Sequence, residues 1–211
     1  PEMITVPLEG DFLAKRHLKE IFALIDSHDA AVIGGGLGRN TETMHAVREI
    51  IEYARKKRTP CVIDADALHA LPEKLAQHFV VTPHAMEFFT MTGTKLEDDA
   101  KQRAVEAKKA AATLHCVVLV KGHIDVISDG SRVALDREGT SYMTKGGAGD
   151  VLAGICGSLL SRGASSYDAA CAAAFITGSA GAAAAKKYGE SMLASDVCSE
   201  IGNVIKGVNS V

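Results

Sequence analysis

The sequence lacks a paired-cysteine motif. Its five cysteines are odd in number and widely spread, and no CxxC occurs among Cys61, Cys116, Cys156, Cys171 and Cys198. This pattern argues against a disulfide framework and against a zinc site. We therefore expect five reduced, buried thiols.

The chain also lacks an excess of positive charge and a long run of large apolar side chains. A net charge of -3 gives no basic field for nucleic acid or an anionic membrane, so a small-molecule partner is favoured. The longest uncharged stretch, 169–185, consists mainly of alanine and glycine rather than leucine and isoleucine. We expect it to form a helix packed closely against a sheet or another helix, not a membrane span.

The length and the apolar content indicate one domain. With 211 residues, of which 47% are hydrophobic, the chain can bury the core of a single α/β domain over residues 1–211. Pro1 follows no methionine, and PEMITVPLEG has the character of an internal segment. We therefore expect the chain to be incomplete at its amino end.

Short β-branched runs alternate with longer amphipathic segments. The runs are AAVIGGG (30–36), CVIDADAL (61–68), FVVTP (79–83) and CVVLVKG (116–122), with helices predicted over 41–57 and near 97–114. Continuous apolar strands suit a mostly parallel sheet that is covered on both faces. IDVISDG and SRVALD predict a hairpin with Asp129 and Gly130 in its turn. Three helices are predicted after it, at roughly 149–162, 166–187 and 191–206.

Polar, glycine-rich segments end the four predicted parallel strands. They are GGGLGRN (34–40), DADAL (64–68), TPHAME (82–87) and KGHID (121–125). Ligands bind outside the carboxyl ends of the strands in such sheets, so these segments are expected at one binding edge. Each alone has an ordinary structural explanation as a turn or a helix cap. Four at one edge indicate a binding site.

A fifth segment, TKGGAGDVLAG (144–154), combines three glycines with one carboxylate before a predicted helix. Unobstructed N–H groups and the positive end of a helix together favour an anion. Asp150 could be only the N-cap of that helix, or it could take a proton from a hydroxyl that approaches a phosphate. No GxxxxGK[ST] occurs, so this is not a Walker P-loop, and GGGLGR matches GxGxxG only in part.

TKGGAGDVLAG resembles the GxGD anion-hole motif of ribokinase-like enzymes. GGGLGR, DADAL, TPHAME and KGHIDVISDG resemble, in the same order along the chain, segments of the ADP- or ATP-dependent NAD(P)H-hydrate dehydratases. The resemblance covers most of residues 1–190. This sequence departs from the family in lacking an amino-terminal portion of βα units, in Gly35 where proline is usual, and in Ala85-Met86 where Pro-Gly is common.

The resemblance implies a three-layer α/β/α ribokinase-like fold and a repair activity. Enzymes of this family restore the S-epimer of hydrated NADH or NADPH by a dehydration coupled to cleavage of ADP or ATP, with Mg²⁺ as the cofactor. Phosphorylation turns the ring hydroxyl into a good leaving group. The implied enzyme is a cytoplasmic homotetramer with no nucleic-acid or membrane partner.

The same resemblance assigns roles to individual residues. Asp150 would be the base on the ring hydroxyl, and the anion-hole amides would come from Gly147, Ala148 and Gly149. The hydrate would contact Gly36, Gly38 and His84. The adenine nucleotide would be lined by Lys121, Gly122, His123, Ile124, Asp125 and Gly149. Glu87 would hold Mg²⁺ through water.

Two other functions fit part of the sequence. A small-molecule kinase of the same superfamily, acting on a vitamin-precursor alcohol, would carry the same glycine motif, although TPHAME, DADAL and GGGLG together favour the dehydratase. The second alternative is a module that binds a nucleotide but has no catalytic activity. Lys121 also has a structural explanation as a solvent-exposed strand end.

Overall fold

The computed structural model describes residues 3–208 and contains one six-stranded sheet. The strands follow chain order across the sheet: β1 (Ala31–Ile33), β2 (Cys61–Ile63), β3 (Phe79–Val81), β4 (Val117–Val120), β5 (Asp125–Ser128) and β6 (Val133–Asp136). Strands β1 to β4 pair in parallel, and β5 pairs antiparallel with both β4 and β6. The predicted mostly parallel sheet is confirmed.

Seven α-helices surround the sheet in the part of the chain that the structure describes. They are α1 (Leu18–Asp26), α2 (Thr41–Lys57), α3 (Ala85–Thr92), α4 (Ala100–Leu114), α5 (Ala148–Ser161), α6 (Ser166–Tyr188) and α7 (Ala194–Val208). Short 3₁₀ turns lie at Lys15–His17, Ala65–Ala70, Ser141–Met143 and Gly189–Ser191. The hairpin and the three helices after it are confirmed, whereas α1 and α3 lie in segments for which no helix was predicted.

Alternate residues of the buried strands point to opposite faces of the sheet, as the strand repeat requires. Ile63, Val81 and Val118 belong to the core that includes residues of α1, α2 and α4. Val62 and Val80 belong to a second core that includes residues of α5 and α6. The continuous apolar runs of the sequence therefore reflect a sheet that lies between two helical layers.

The alanine-rich helix α6 is a core element. It packs against α5, α7 and the sheet through small residues, including Ala169, Ala173 and Ala180, which are fully buried. By length and composition alone, Ser166–Ser191 passes as a candidate membrane span in the described chain, and half of its most apolar window is buried inside the molecule. The predicted close packing against a sheet and other helices is confirmed.

The thiols differ in exposure. All five are free, and burial raises the pKa of Cys61 and of Cys156 to about 12. Cys116 is buried as well, but Cys171 is half-buried and Cys198 is exposed. The expectation of five buried thiols is therefore wrong for the last two, because each lies on a helix face that no other element covers completely.

Candidate active site

The carboxyl ends of the parallel strands meet at one edge, as predicted. Asp64 follows β2, Thr82 follows β3 and Lys121 follows β4. The Asp64 N–H donates to the Ile33 carbonyl at 2.9 Å, and the Lys121 N–H donates to the Pro83 carbonyl at 2.8 Å. These bonds extend the parallel ladder past the strands and hold the polar residues side by side.

A nearly buried ion pair forms the centre of this edge. Lys121 Nζ donates to Asp64 Oδ1 at 2.6 Å, and Thr82 Oγ1 donates to the same oxygen at 2.8 Å. Glu87 Oε2 lies 3.7 Å from Lys121 Nζ. The Lys121 side chain is 19% exposed and that of Asp64 only 5%. The alternative of a plain solvent-exposed strand end for Lys121 is therefore wrong.

The glycine segment lies beside this ion pair. Gly147 is the N-cap of α5 and has φ 90° and ψ -17°, a left-handed conformation that favours glycine. A Cβ added to Gly149 would lie 3.5 Å from Lys121 Nζ and 3.8 Å from Asp64 Oδ2. The positive end of α5 and the Lys121 ammonium thus face the same space. The Ala148 N–H makes a long 3.4 Å hydrogen bond to the Lys145 carbonyl.

Asp150 lies in the first turn of α5 and is exposed. The N-cap is Gly147, so the explanation of Asp150 as the N-cap is wrong. The Asp150 side chain lies next to the glycine loop after β1. A Cβ added to Gly35 would be 3.2 Å from Asp150 Oδ1. Gly35 therefore borders the Asp150 carboxylate directly.

The glycine loop after β1 is anchored by a residue that sequence reasoning left without a role. Asp66 Oδ2 accepts from the Gly38 N–H at 3.0 Å, and Asp66 Oδ1 accepts from Arg39 Nε at 2.9 Å. Gly36 and Gly38 both have φ 71°, and the space beside each is open. Asp66 thus holds the backbone of this loop in place, and the space beside its two glycines remains open.

His84 and Glu87 cap helix α3 reciprocally. His84 Nδ1 accepts from the Met86 and Glu87 N–H groups, both at 3.2 Å, and Glu87 Oε2 accepts from the His84 N–H at 2.8 Å. In the neutral ring the proton is therefore on Nε2, which lies 3.4 Å from Glu87 Oε1. Both residues therefore have a structural role as the cap of α3. The His84 side chain is nevertheless 54% exposed to solvent.

The loop 121–125 carries the remaining predicted nucleotide residues. The Gly122 N–H donates to Asp125 Oδ1 at 2.8 Å, which turns that carboxylate into the loop. Burial raises the pKa of Asp125 to about 6. His123 is exposed and Ile124 is half-buried. Lys121 is itself a member of the central ion pair, and among the described residues no other side chain of this loop has a hydrogen bond to that pair.

The central edge thus joins Asp64, Thr82, Glu87 and Lys121 with Gly149. Asp64 and Thr82 are additions to the predicted set, and their sequence signal was a polar residue directly after a buried strand. Over residues 3–208, no group of three or more His, Cys, Asp or Glu side chains is placed to hold a metal ion.

Comparison with known proteins identifies the family. A family model described as NAD(P)H-hydrate dehydratase matches residues 1–203. The chain belongs to the NAD(P)H-hydrate dehydratase family. The bifunctional NAD(P)H-hydrate repair enzyme of Pyrobaculum aerophilum is 41% identical over 207 residues, which are 98% of this chain and 41% of that protein. The ADP-dependent (S)-NAD(P)H-hydrate dehydratase of Nitrosopumilus maritimus is 33% identical over 216 residues, covering 100% of this chain and 74% of that protein.

Solved structures confirm the ribokinase-like fold. The ADP/ATP-dependent NAD(P)H-hydrate dehydratase of Bacillus subtilis, co-crystallized with ATP/Mg²⁺, is 27% identical with a TM-score of 0.75, covering 88% of this chain and 69% of that one. A ribokinase-like superfamily protein of Enterococcus faecalis has a TM-score of 0.78 at 19% identity, covering 91% of this chain and 68% of that one. The chain spans about two-fifths of the length of the bifunctional dehydratase-family relatives.

Proposed function

We propose that this chain dehydrates the S-epimer of hydrated NADH or NADPH, with ADP or ATP as the co-substrate. The observation that carries the proposal is the meeting of the α5 N-terminus with the Lys121 ammonium at Gly149, where a Cβ would lie 3.5 Å from Nζ. The positive end of α5 favours an anion such as a transferring phosphoryl group, and the Lys121 ammonium, whose charge Asp64 balances, adds a hydrogen-bond donor that faces the same space. The family membership supplies the substrate class.

Asp150 and the glycine segment would carry the chemistry. The Asp150 carboxylate takes the proton of the ring hydroxyl, and the hydroxyl oxygen forms a bond to the terminal phosphorus of the nucleotide. The bond from that phosphorus to the bridging oxygen breaks, so AMP leaves from ADP, or ADP leaves from ATP. The N–H groups of Gly147, Ala148 and Gly149 stabilise the charge on the transferred group.

Dehydration completes the reaction. The carbon–oxygen bond of the phosphorylated ring breaks, and phosphate leaves with the bonding electrons. The neighbouring ring carbon loses a proton to solvent water, and the electrons of that carbon–hydrogen bond form the double bond of the reduced nicotinamide. Gly36 and Gly38, which have open space beside them, and the exposed side of His84 would contact the hydrate.

The adenine nucleotide would lie along Lys121, Gly122, His123, Ile124, Asp125 and Gly149. Asp64 and Glu87 supply two carboxylates beside one ammonium, so the ion pair and Glu87 together are net negative. That balance suits a divalent cation between this edge and a polyphosphate. Mg²⁺ characteristically uses one or two carboxylates plus water and phosphate oxygens, and Glu87 would hold it through water. When bound, the ion would neutralise charge on the phosphates.

An assay of the purified chain tests the proposal. The hydrate is incubated with ADP or ATP and Mg²⁺, and chromatography quantifies NAD(P)H, the spent nucleotide and phosphate. Equal amounts of all three products support the proposal. Phosphorylation of a hydroxyethylthiazole-type or pyridoxal-type alcohol without repair of the hydrate would make the chain a kinase instead. Nucleotide binding without any turnover would make it a binding module.

The proposal also covers the oligomeric state and the cellular location of the enzyme. We place the enzyme in the cytoplasm as a homotetramer, as the family resemblance implies. Sedimentation of the purified chain measures the oligomeric state directly, and a monomer at micromolar concentration would contradict the tetramer.

A further inference from the structure

A buried arginine lies beneath the loop 121–125, outside every role assigned above. Arg103 belongs to α4, and it is only 8% exposed. Charged side chains are almost never this buried unless they have a partner. Its hydrogen-bond partner is the backbone of the loop, because Arg103 Nη2 donates to the Lys121 carbonyl at 2.9 Å, and its charge also interacts with the Asp125 carboxylate.

Gly122 leaves room for the guanidinium. A Cβ added to Gly122 would lie 2.3 Å from Arg103 Nη2, 2.5 Å from Nη1 and 2.7 Å from Cζ. These distances are shorter than any that real Cβ atoms keep, so a side chain at 122 would displace either the loop or the arginine. Gly122 does not have a positive φ, so what favours glycine here is the contact with Arg103 and not backbone strain.

The two loop residues next to this contact are both charged. Lys121 extends its ammonium to Asp64, and the Gly122 N–H holds the Asp125 carboxylate. The buried Arg103 Nε has no hydrogen-bond partner among the described residues. Burying a cation whose hydrogen bonds are incompletely satisfied costs stability.

We infer that Arg103 is a positioning residue for the adenine nucleotide, and that Gly122 is its steric counterpart. The inference rests on the proposed function of the loop 121–125. By donating to the Lys121 carbonyl, Arg103 fixes the position of the backbone from which the Lys121 side chain extends toward the phosphate site. Losing the guanidinium would let the loop shift without touching Asp150 or the glycine loop after β1.

The first test measures ligand binding and turnover in the Arg103→Ala variant. Loss of a charged hydrogen bond corresponds to roughly a tenfold or larger weakening, so the Kd for ADP or ATP should rise by about that factor. The KM for the hydrate should stay within about twofold. Lys108→Ala, an exposed lysine on the same helix, is the matched control and should leave both constants unchanged.

A double-mutant cycle tests the contact itself. Gly122→Ala alone should weaken nucleotide binding by a similar factor, because its Cβ overlaps the guanidinium. In the Arg103→Ala background the same substitution should cost little further affinity, since the overlapping atoms are gone. Additive losses would overturn the steric pairing. If Arg103→Ala does not fold, Arg103→Met keeps most of the stem that packs against the core and serves in its place.

The outcomes separate this inference from the proposed function. A wild-type chain that binds no adenine nucleotide overturns the proposed function. A wild-type chain that binds nucleotide, together with a folded Arg103 variant that binds equally well, overturns only the positioning role. Equal weakening for nucleotide and hydrate also overturns it, because general loosening of the fold would act on both ligands.

Discussion

Replacing Gly147 with valine should damage turnover much more than folding. Gly147 has φ 90°, a region that β-branched residues avoid, and a Cβ added there would lie 2.9 Å from the Cβ of Ala194. Strained positions of this kind cost on the order of 1–3 kcal/mol. For a chain of this size that corresponds to a fall in Tm of roughly 2–12 °C.

The loss of activity should be larger because the substitution moves the amides that begin α5. Removing one donor from an anion hole costs roughly 100- to 1000-fold in turnover. Tm and hydrate repair are measured on the same preparation. Gly146→Val is the matched control, since Gly146 is exposed and has no atom within 4 Å of an added Cβ. A folded Gly147→Val variant with unimpaired repair would show that this glycine serves only the turn.

Three further expectations concern the base, the nucleotide and the pH dependence. Asp150→Asn should abolish hydrate repair and leave nucleotide affinity within a few-fold, because the amide keeps the shape and loses the base; near wild-type turnover would refute this role. Adenine nucleotides with Mg²⁺ should raise Tm more than guanine nucleotides do, and equal shifts would count against a specific site. The pKa of Asp125 is raised from 3.8 to about 6 by burial and, to a smaller extent, by Asp136, against the opposing effects of the Gly122 N–H, Arg103 and Lys121. The native state therefore holds this proton more tightly, so stability should fall as pH rises from about 4 to about 6. Asp125→Asn should flatten that part of the Tm profile, and an unchanged profile would refute the assignment.

Local sequence was sufficient to predict the sheet and the glycine segment at the start of α5. Strands β2 and β3 appear as continuous apolar runs, CVI and FVV, because both of their faces are buried. Three glycines before a predicted helix indicated an anion site without any knowledge of packing. Helix α3 escaped prediction because it has only 8 residues and a single buried side chain, Phe88. Its reciprocal cap, His84 with Glu87 three residues later, was the available signal.

The partners of Lys121 and Arg103 were decided by the tertiary structure alone. Lys121 is 57 residues from Asp64 in the chain, and Arg103 is 18 residues from the carbonyl that it binds. Nothing in a local pattern distinguishes a lysine at an exposed strand end from one in a nearly buried ion pair. Parallel pairing brings the ends of β2 and β4 to the same edge, and the packing of α4 on the sheet places its arginine beneath Gly122. The chemistry of each residue was fixed by its type, but its role at the site depends on which distant residues the fold places within hydrogen-bonding distance.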